Sequence, residues 1–160
     1  LDADGQIFVR GEVLFSGYCL PGRPPQECLD AEGWFATCDL GEKTNNAELR
    51  VLGRMDRRFV AGGENISPER IEAALESLPG VRRACVLPVS DAEFGQRPAV
   101  FLHASRRRDA LEAELRKRLI GLEIPVRWLL SPEKIAPDAP KLSLSFFKGL
   151  LAGEQNGAYI

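Results

Sequence analysis

The sequence has 160 residues, of which 44% are hydrophobic, with a formal net charge of −2 and a pI near 5.6. This length predicts one domain or two small ones, and the apolar fraction is too high for a disordered chain. The small net charge gives no general attraction for nucleic acid or for an anionic membrane. No apolar run approaches the roughly 20 residues of a membrane span, and the N-terminus lacks a signal-peptide pattern. We therefore expect a cytoplasmic protein without a membrane span.

Four cysteines and one histidine limit the metal and nucleophile chemistry that the chain can carry. Cys19, Cys28, Cys38 and Cys85 have long, irregular spacings without a Cys-x-x-Cys pair. This pattern predicts reduced thiols and no metal site. Because His103 is the only histidine, a Ser-His-Asp triad is also disfavoured.

Residues 1–53 have the pattern of short strands joined by turns. Alternation at Gln6–Arg10 and at Val13–Ser16 predicts a hairpin, and Leu49–Leu52 predicts a further strand. The proline-rich stretch at 21–25 predicts a loop. Since this region has little apolar mass of its own, we interpret it as the edge of a larger β-rich body. Without that body we expect oligomers or domain swapping.

The rest of the chain predicts a compact α+β unit with three helices on a small sheet. Ser67 can cap the first helix, which Pro68 and Glu69 favour in its first turn, and Pro79-Gly80 ends it. Strands are expected at Phe59–Ala61, Val81–Val89, Pro98–Leu102 and Val126–Leu130, and two more helices at the apolar repeats from Leu111 to Leu122 and from Leu144 to Leu151.

Two segments before residue 57 have residue types suited to a nucleotide. In Gly33–Asp39, two aromatic residues precede Thr37 and Asp39, and a carboxylate can accept hydrogen bonds from both hydroxyls of a sugar. The alternative is a strand end with a turn aspartate. In Gly53–Asp56, the fork of donors on Arg54 can bind ribose or phosphate. The alternative there is an Arg–Asp pair on a surface linker.

Two later segments could also contact a ligand. Gly62 and Gly63 permit close backbone approach, although their spacing matches neither a Walker loop nor Gly-x-Gly-x-x-Gly. The alternative is a tight turn into a helix. Lys141, between Pro140 and a helix, can act as a directed point charge, or it can simply be solvated. The arginines and lysine at 106–108 and 116–118 alternate with acidic residues, which indicates a solvated helix face.

In this order and spacing, the motifs resemble the C-terminal third of the adenylate-forming superfamily. That superfamily comprises acyl-CoA synthetases, peptide-synthetase adenylation domains and luciferases. The segments that carry the resemblance are Gly17-Tyr18, Gly33–Asp39, Gly53–Asp56, Gly62–Glu72 and a late lysine. Within the superfamily, the chain is most similar to the o-succinylbenzoate–CoA ligases of menaquinone synthesis at Phe59–Glu64, Glu93–Pro98 and Pro125–Trp128.

The resemblance implies a fold and four polar functional residues. Residues 1–55 would be the β-rich end of a large ATP-binding domain, and residues 56–160 would be a C-terminal lid domain. Asp39 would bind the ribose hydroxyls of ATP with help from Arg54, and Asp56 would be the hinge of the lid. Lys141 would contact the substrate carboxylate and the α-phosphate while the acyl-adenylate forms.

The resemblance also implies the ligands of the reaction. Gly62 and Gly63 would line the tunnel for the pantetheine arm of coenzyme A after the lid rotates. ATP, Mg²⁺ and coenzyme A would take part, and the acid would be a small carboxylic acid such as o-succinylbenzoate. No residue of the chain is assigned to a metal.

The chain departs from the superfamily pattern in several places. Cys38 stands where glycine is usual, and it would be strained if that position has a positive φ. Ser143 and Ser145 follow Lys141 where a basic residue is common, and Lys148 competes with Lys141 from inside a helix. The Ser/Thr/Gly-rich ATP loop and the acid pocket are missing, and the start has no initiator methionine. We therefore expect a piece of a longer enzyme that does not catalyse alone.

Two alternatives to this function remain. One is a fatty or aryl acid–CoA ligase of the same superfamily. The other is a non-catalytic interaction module that retains the lid fold and binds a partner.

Overall fold

A computed structural model describes residues 1–23, 26–130 and 144–153 of the chain. The chain divides into two units: a first unit, Leu1–Arg57, and a second unit that begins at Arg58.

The first unit is built from antiparallel strands. Its strands are β1 (Gln6–Val9), β2 (Gly17–Tyr18), β3 (Gln26–Glu27), β4 (Phe35–Lys43) and β5 (Leu49–Arg54). Strand β4 lies between β1 and β5, while β2 and β3 form a separate ribbon. A 3-10 turn, Met55–Arg57, follows β5.

Close backbone approach fixes the centre of this sheet. A Cβ atom on Gly41 would lie 2.9 Å from Ile7 Cδ1 and 3.0 Å from the carbonyl oxygen of Arg50. Glycine therefore lets β4 pack tightly between its neighbours. Ile7 and Leu40 are buried beside this contact.

The predicted hairpin at Gln6–Arg10 and Val13–Ser16 is wrong in its second half. Turns and irregular backbone occupy 13–16, and Val13 is 97% exposed. Strand β1 instead pairs with β4, with Phe8 opposite Ala36. Alternation at 13–16 buries no face, so it provides no packing energy for a strand.

The second unit is a small mixed sheet with three helices, so the predicted α+β class is confirmed. Its strands are β6 (Phe59–Ala61), β7 (Glu64–Ile66), β8 (Val81–Asp91), β9 (Gly95–Ala104) and β10 (Arg127–Leu130), and its helices are α1 (Pro68–Glu76), α2 (Arg108–Leu115) and α3 (Leu144–Gly153). Strand β9 lies between β8, which is antiparallel to it, and β10, which is parallel. Strands β6 and β7 form a hairpin.

Apolar side chains are buried on both faces of the β8–β10 sheet, because its strands place alternate residues on opposite faces. One cluster includes the following buried residues: Phe59, Ile66, Ile71, Leu75, Val86, Val100, Leu102, Leu111, Leu115 and Trp128. A second cluster joins Leu87, Phe101 and Leu129 to Phe147 of α3. The ring centroids of Phe101 and Phe147 are 4.9 Å apart.

Helix α1 protects the outer edge of β8. Glu72 accepts a hydrogen bond of 2.7 Å from the backbone N–H of Val86, and Glu76 accepts one of 3.0 Å from Ala84. Because these carboxylates occupy edge donors, they oppose pairing with a second chain. The predicted cap differs in detail, since the Ser67 hydroxyl lies 3.2 Å from the Glu69 carboxylate and makes no cap bond to the backbone.

Helix α2 is shorter than its apolar repeat predicts. It ends at Leu115, yet Leu119 remains buried on the turns that follow. Leu122 falls in a 3-10 turn, Gly121–Glu123. The leucine spacing therefore predicts which side chains are packed inside, but the helix itself ends before the last of these leucines.

Candidate functional site

Asp39, Arg54 and Asp56, which the sequence separates, lie together at one end of the β4–β5 ladder. Asp39 and Arg54 are directly opposite in the strand register. Arg54 Nε donates to Asp56 Oδ1 at 2.8 Å, and Arg54 Nη2 donates to Asp56 Oδ2 at 2.9 Å. A longer contact of 3.5 Å joins Arg54 Nη1 to Asp39 Oδ1. All three side chains remain accessible to solvent, with exposed fractions of 36–61%.

The fork between Arg54 and Asp56 changes the electrostatics of both groups. The hydrogen bond from Arg54 is the main reason that the pKa of Asp56 falls below its usual range. The same bond is the main reason that the pKa of Arg54 rises. Both groups are therefore charged at neutral pH, and the carboxylate is fixed in one orientation.

Thr37 holds the backbone that carries Asp39, a structural role beyond the nucleotide contact that its position in the motif suggests. Its hydroxyl donates to the carbonyl oxygen of Ile7 at 2.9 Å and accepts from the N–H of Asp39 at 3.0 Å. These bonds link the Asp39 position to strand β1. A threonine two residues before a candidate aspartate is the only signal of this role in the sequence.

Cys38 has a left-handed backbone conformation. Its φ is +59°, so the strain expected of a side chain at a usual glycine position is confirmed. The cysteine lies between Thr37 and Asp39, and its strain is therefore located next to the candidate ribose-binding carboxylate.

Gly62 and Gly63 form the two-residue turn of the β6–β7 hairpin. Their φ values are +55° and +86°, the combination that such a turn requires at both central positions. A Cβ atom on Gly62 would lie 2.8 Å from Leu122 Cδ1 and 2.9 Å from Phe94 Cδ1, whereas Gly63 faces open space. The two glycines thus form a tight turn, as the alternative interpretation expects, but the turn leads into strand β7 and not directly into helix α1. The side chains of Phe94 and Leu122 flank only Gly62.

Lys141 lies outside the described residues. The competing Lys148 is described: it is exposed on α3, one residue after the buried Phe147.

The parts of the chain that the structure describes contain no group of three side chains able to hold a metal ion. Within the same residues, no helix is long and apolar enough to cross a membrane.

Comparison with known proteins finds a family model that matches a large part of the second unit. Residues 70–140 match the family described as AMP-binding enzyme C-terminal domain. This match confirms the resemblance of the chain to adenylate-forming enzymes.

Individual relatives match more of the chain. It is 40% identical over 142 residues to 2-succinylbenzoate–CoA ligase of Salmonella typhimurium, a match that covers 88% of this chain and 31% of the relative. The structure of wild-type E. coli MenE with a bound phenylether-linked analogue of OSB-AMS superposes with a TM-score of 0.75 at 30% identity, over 94% of this chain and 33% of that one.

A second solved relative is o-succinylbenzoate CoA synthetase (MenE) from Bacillus subtilis in complex with the acyl-adenylate intermediate OSB-AMP. It superposes with a TM-score of 0.68 at 30% identity, over 79% of this chain and 26% of that one. The chain thus spans about a third of the length of the relatives that it matches.

Proposed function

We propose that the full-length protein containing this chain is an AMP-forming acid–CoA ligase that acts on o-succinylbenzoate in menaquinone synthesis. The observation that carries the proposal is the 40% identity over 142 residues to a 2-succinylbenzoate–CoA ligase. In the first half-reaction, a carboxylate oxygen attacks the α-phosphorus of ATP and pyrophosphate leaves. In the second, the thiol of coenzyme A attacks the acyl carbon and AMP leaves.

Asp39 and Arg54 are the proposed ribose-binding pair. A carboxylate matches two neighbouring hydroxyls well because each of its oxygens can accept a hydrogen bond. The 3.5 Å contact with Arg54 is long, so Asp39 retains accepting capacity for a sugar. Arg54 donates two hydrogen bonds to Asp56, and these bonds help to hold its guanidinium beside Asp39.

Asp56 is the proposed hinge, and residues 1–55 and 56–160 are the proposed domains on either side of it. It lies in a three-residue 3-10 turn, and the boundary between the compact units follows at Arg57. Exposed ion pairs contribute only about 0–1 kcal/mol, so the Arg54 fork orients Asp56 and can still break during a rotation. Backbone rotation at one or two residues is sufficient for a rigid lid to turn.

Lys141 is the proposed catalytic lysine of the first half-reaction. Attack of a carboxylate on a phosphate brings two anions together, and a positioned ammonium group reduces their repulsion and stabilises the developing charge. The second half-reaction requires other groups at the same position. Rotation of the lid would withdraw the lysine and bring Gly62 and Gly63 to the path of the pantetheine arm.

ATP would enter as its Mg²⁺ complex, with the metal on the leaving pyrophosphate, and coenzyme A would be the second substrate. We assign no side chain of this chain to Mg²⁺. We propose a cytoplasmic location, and we propose that the exposed apolar side chains of the first unit, such as Val13 and Val51, favour homo-oligomers.

The test is acid-dependent exchange of pyrophosphate into ATP by the full-length protein, with o-succinylbenzoate compared with fatty and aryl acids. We expect exchange with o-succinylbenzoate alone. Exchange only with another acid would retain the superfamily and contradict the substrate. No exchange with any acid would contradict the enzymatic proposal and favour the interaction module.

A further inference from the structure

Phe94 forms one wall beside Gly62. The N–H of Gly62 donates to the carbonyl oxygen of Phe94 at 2.9 Å, and the ring fills the position where a Cβ atom on residue 62 would lie. Asp91 orders this loop, because its Oδ1 accepts from the N–H of Glu93 at 3.0 Å and of Phe94 at 2.8 Å.

Leu122 forms the other wall. Its Cδ1 would lie 2.8 Å from a Cβ atom at position 62. It belongs to the 3-10 turn Gly121–Glu123, which Arg70 of α1 contacts through a 3.0 Å ion pair to Glu123. The two walls come from distant parts of the sequence, so something must set their separation.

Arg97 bridges the two walls. Its guanidinium lies over the Phe94 ring, with 5.4 Å between Cζ and the ring centroid. Its Nη2 donates at 3.2 Å to the carbonyl oxygen of Ile124, two residues after Leu122. The half-buried side chain of Arg97 thus contacts both the Phe94 ring and the backbone that follows Leu122.

Stability alone does not account for an arginine at this position. Its Nε is buried and has no hydrogen-bond partner among the residues that the structure describes. Leaving a buried donor unsatisfied costs free energy that an apolar side chain of similar length would avoid. The geometry that Arg97 imposes on Phe94 and Leu122 is therefore the more informative feature.

We propose that Arg97 is a positioning residue for the thioester-forming half-reaction, because it fixes the Phe94 and Leu122 walls that flank Gly62. The inference rests on the proposed function, in which Gly62 lines the path of the pantetheine arm. A narrow amide-containing chain requires walls at a fixed separation. Loss of the bridge alters binding of coenzyme A and leaves adenylate formation unchanged, since adenylate formation precedes use of this path.

The test uses the full-length protein and separates the two half-reactions. Pyrophosphate exchange with o-succinylbenzoate reports adenylate formation, and steady-state thioester formation gives the KM for coenzyme A. For Arg97→Ala we expect the KM to rise about tenfold, the effect of losing a cation–π contact and a hydrogen bond together, with exchange within about twofold. Arg97→Lys retains the charge over the ring but not the fork, so we expect an intermediate KM. Arg82→Ala, at an exposed arginine of β8, is the matched control with neither activity changed.

A second variant tests whether Arg97 acts through Phe94. Phe94→Leu retains an apolar wall but removes the ring, so we expect a similar rise in KM and a double variant no worse than either single one. An unchanged KM in Arg97→Ala, or an equal loss of both half-reactions with a lower melting temperature, would overturn the inference alone. No exchange by the unaltered protein with any acid would instead overturn the proposed function, and this inference with it.

Discussion

The two units differ in how much apolar surface each buries. In the second unit, Ile71, Leu75 and Trp128 have no exposed surface. In the first unit, Ile7 and Leu40 are the buried apolar side chains of the described core, while Val51 is 62% exposed. The second unit therefore has a core of its own, and the first unit is held mainly by the ladder of β1, β4 and β5.

This difference separates two kinds of candidate site. The Asp39–Arg54–Asp56 group lies on the unit without a substantial core, and its geometry comes from strand register and exposed hydrogen bonds. The Gly62 turn lies on the unit with the core, and its geometry comes from side-chain packing by Phe94 and Leu122. Substitutions should therefore act through stability in the second unit and through local charge and backbone conformation in the first.

The largest effect is expected for Trp128→Ala in the second unit. The side chain is fully buried, and its Nε1 donates to the carbonyl oxygen of Pro125 at 3.0 Å. Its removal should lower the free energy of unfolding by about 3–5 kcal/mol. Val51→Ala in the exposed first unit is the comparison, with a change within about 0.5 kcal/mol. Urea denaturation followed by circular dichroism measures both, and equal midpoints would contradict the difference between the units.

A smaller effect is expected for Gly62→Ala. Both Gly62 and Gly63 have positive φ, so alanine at either should cost about 1–2 kcal/mol of strain. Only at Gly62 would the new methyl group contact Phe94 and Leu122, which adds about 1–3 kcal/mol of overpacking. Thermal unfolding of Gly62→Ala and Gly63→Ala compares the two variants. Equal losses of stability would show that Phe94 and Leu122 move aside at no cost, which would contradict the overpacking.

Cys38→Gly should stabilise the first unit by about 0.5–1 kcal/mol. Glycine removes the strain of φ +59°, and its greater freedom in the unfolded chain offsets part of the gain. Ala36→Gly on the same strand is the control, because Ala36 has no positive φ; there we expect a loss of about 0.5–1 kcal/mol. Urea midpoints that fall in both variants would contradict the strain at Cys38.

The smallest effect concerns the pH dependence of the Arg54–Asp56 fork. Because the folded-state pKa of Asp56 is lowered, its contribution is complete above the ordinary aspartate range near pH 4 and is lost as the pH falls through the folded-state pKa. Both side chains are well exposed, so the contribution should be about 0.5 kcal/mol or less. Asp56→Asn should flatten the acid limb of a stability–pH profile by this amount, and 0.5 M NaCl should shrink the difference. A steeper acid limb in Asp56→Asn would contradict the sign.

Apolar periodicity predicted most of the second unit. Helix α1 and strands β8, β9 and β10 lie where repeated apolar residues predicted them, because burial on the sheet faces dominates their energetics. The sequence predicts at most a strand end at Asp39, whereas strand β4 continues to Lys43. Thr37 and Asp39 interrupt the apolar pattern of this strand, and its partner β1 is distant in sequence. Pairing of this kind depends on register, which local propensity does not encode.

The sequence predicts which residues form the candidate site but not how their side chains contact one another. Asp39, Arg54 and Asp56 were chosen from motifs, and the structure brings them into contact. Asp39 and Arg54 are 15 residues apart in sequence and come together because the antiparallel register of β4 and β5 places them opposite each other. Neither motif by itself contains this information. Arg97 and Phe94 were missed as a bridge and a wall because their partners, Ile124 and Gly62, lie in other elements.

The proposed ligase and its lysine are tested by comparing o-succinylbenzoate-dependent pyrophosphate exchange in the full-length protein with that of its Lys141→Ala and Lys148→Ala variants. We expect exchange by the unaltered protein and by Lys148→Ala. In Lys141→Ala we expect a loss of about 100-fold or more, because a positioned charge on the reacting phosphate is removed. Unchanged exchange in Lys141→Ala, or loss only in Lys148→Ala, would contradict the assignment of the lysine. Absence of exchange in the unaltered protein would contradict the ligase itself.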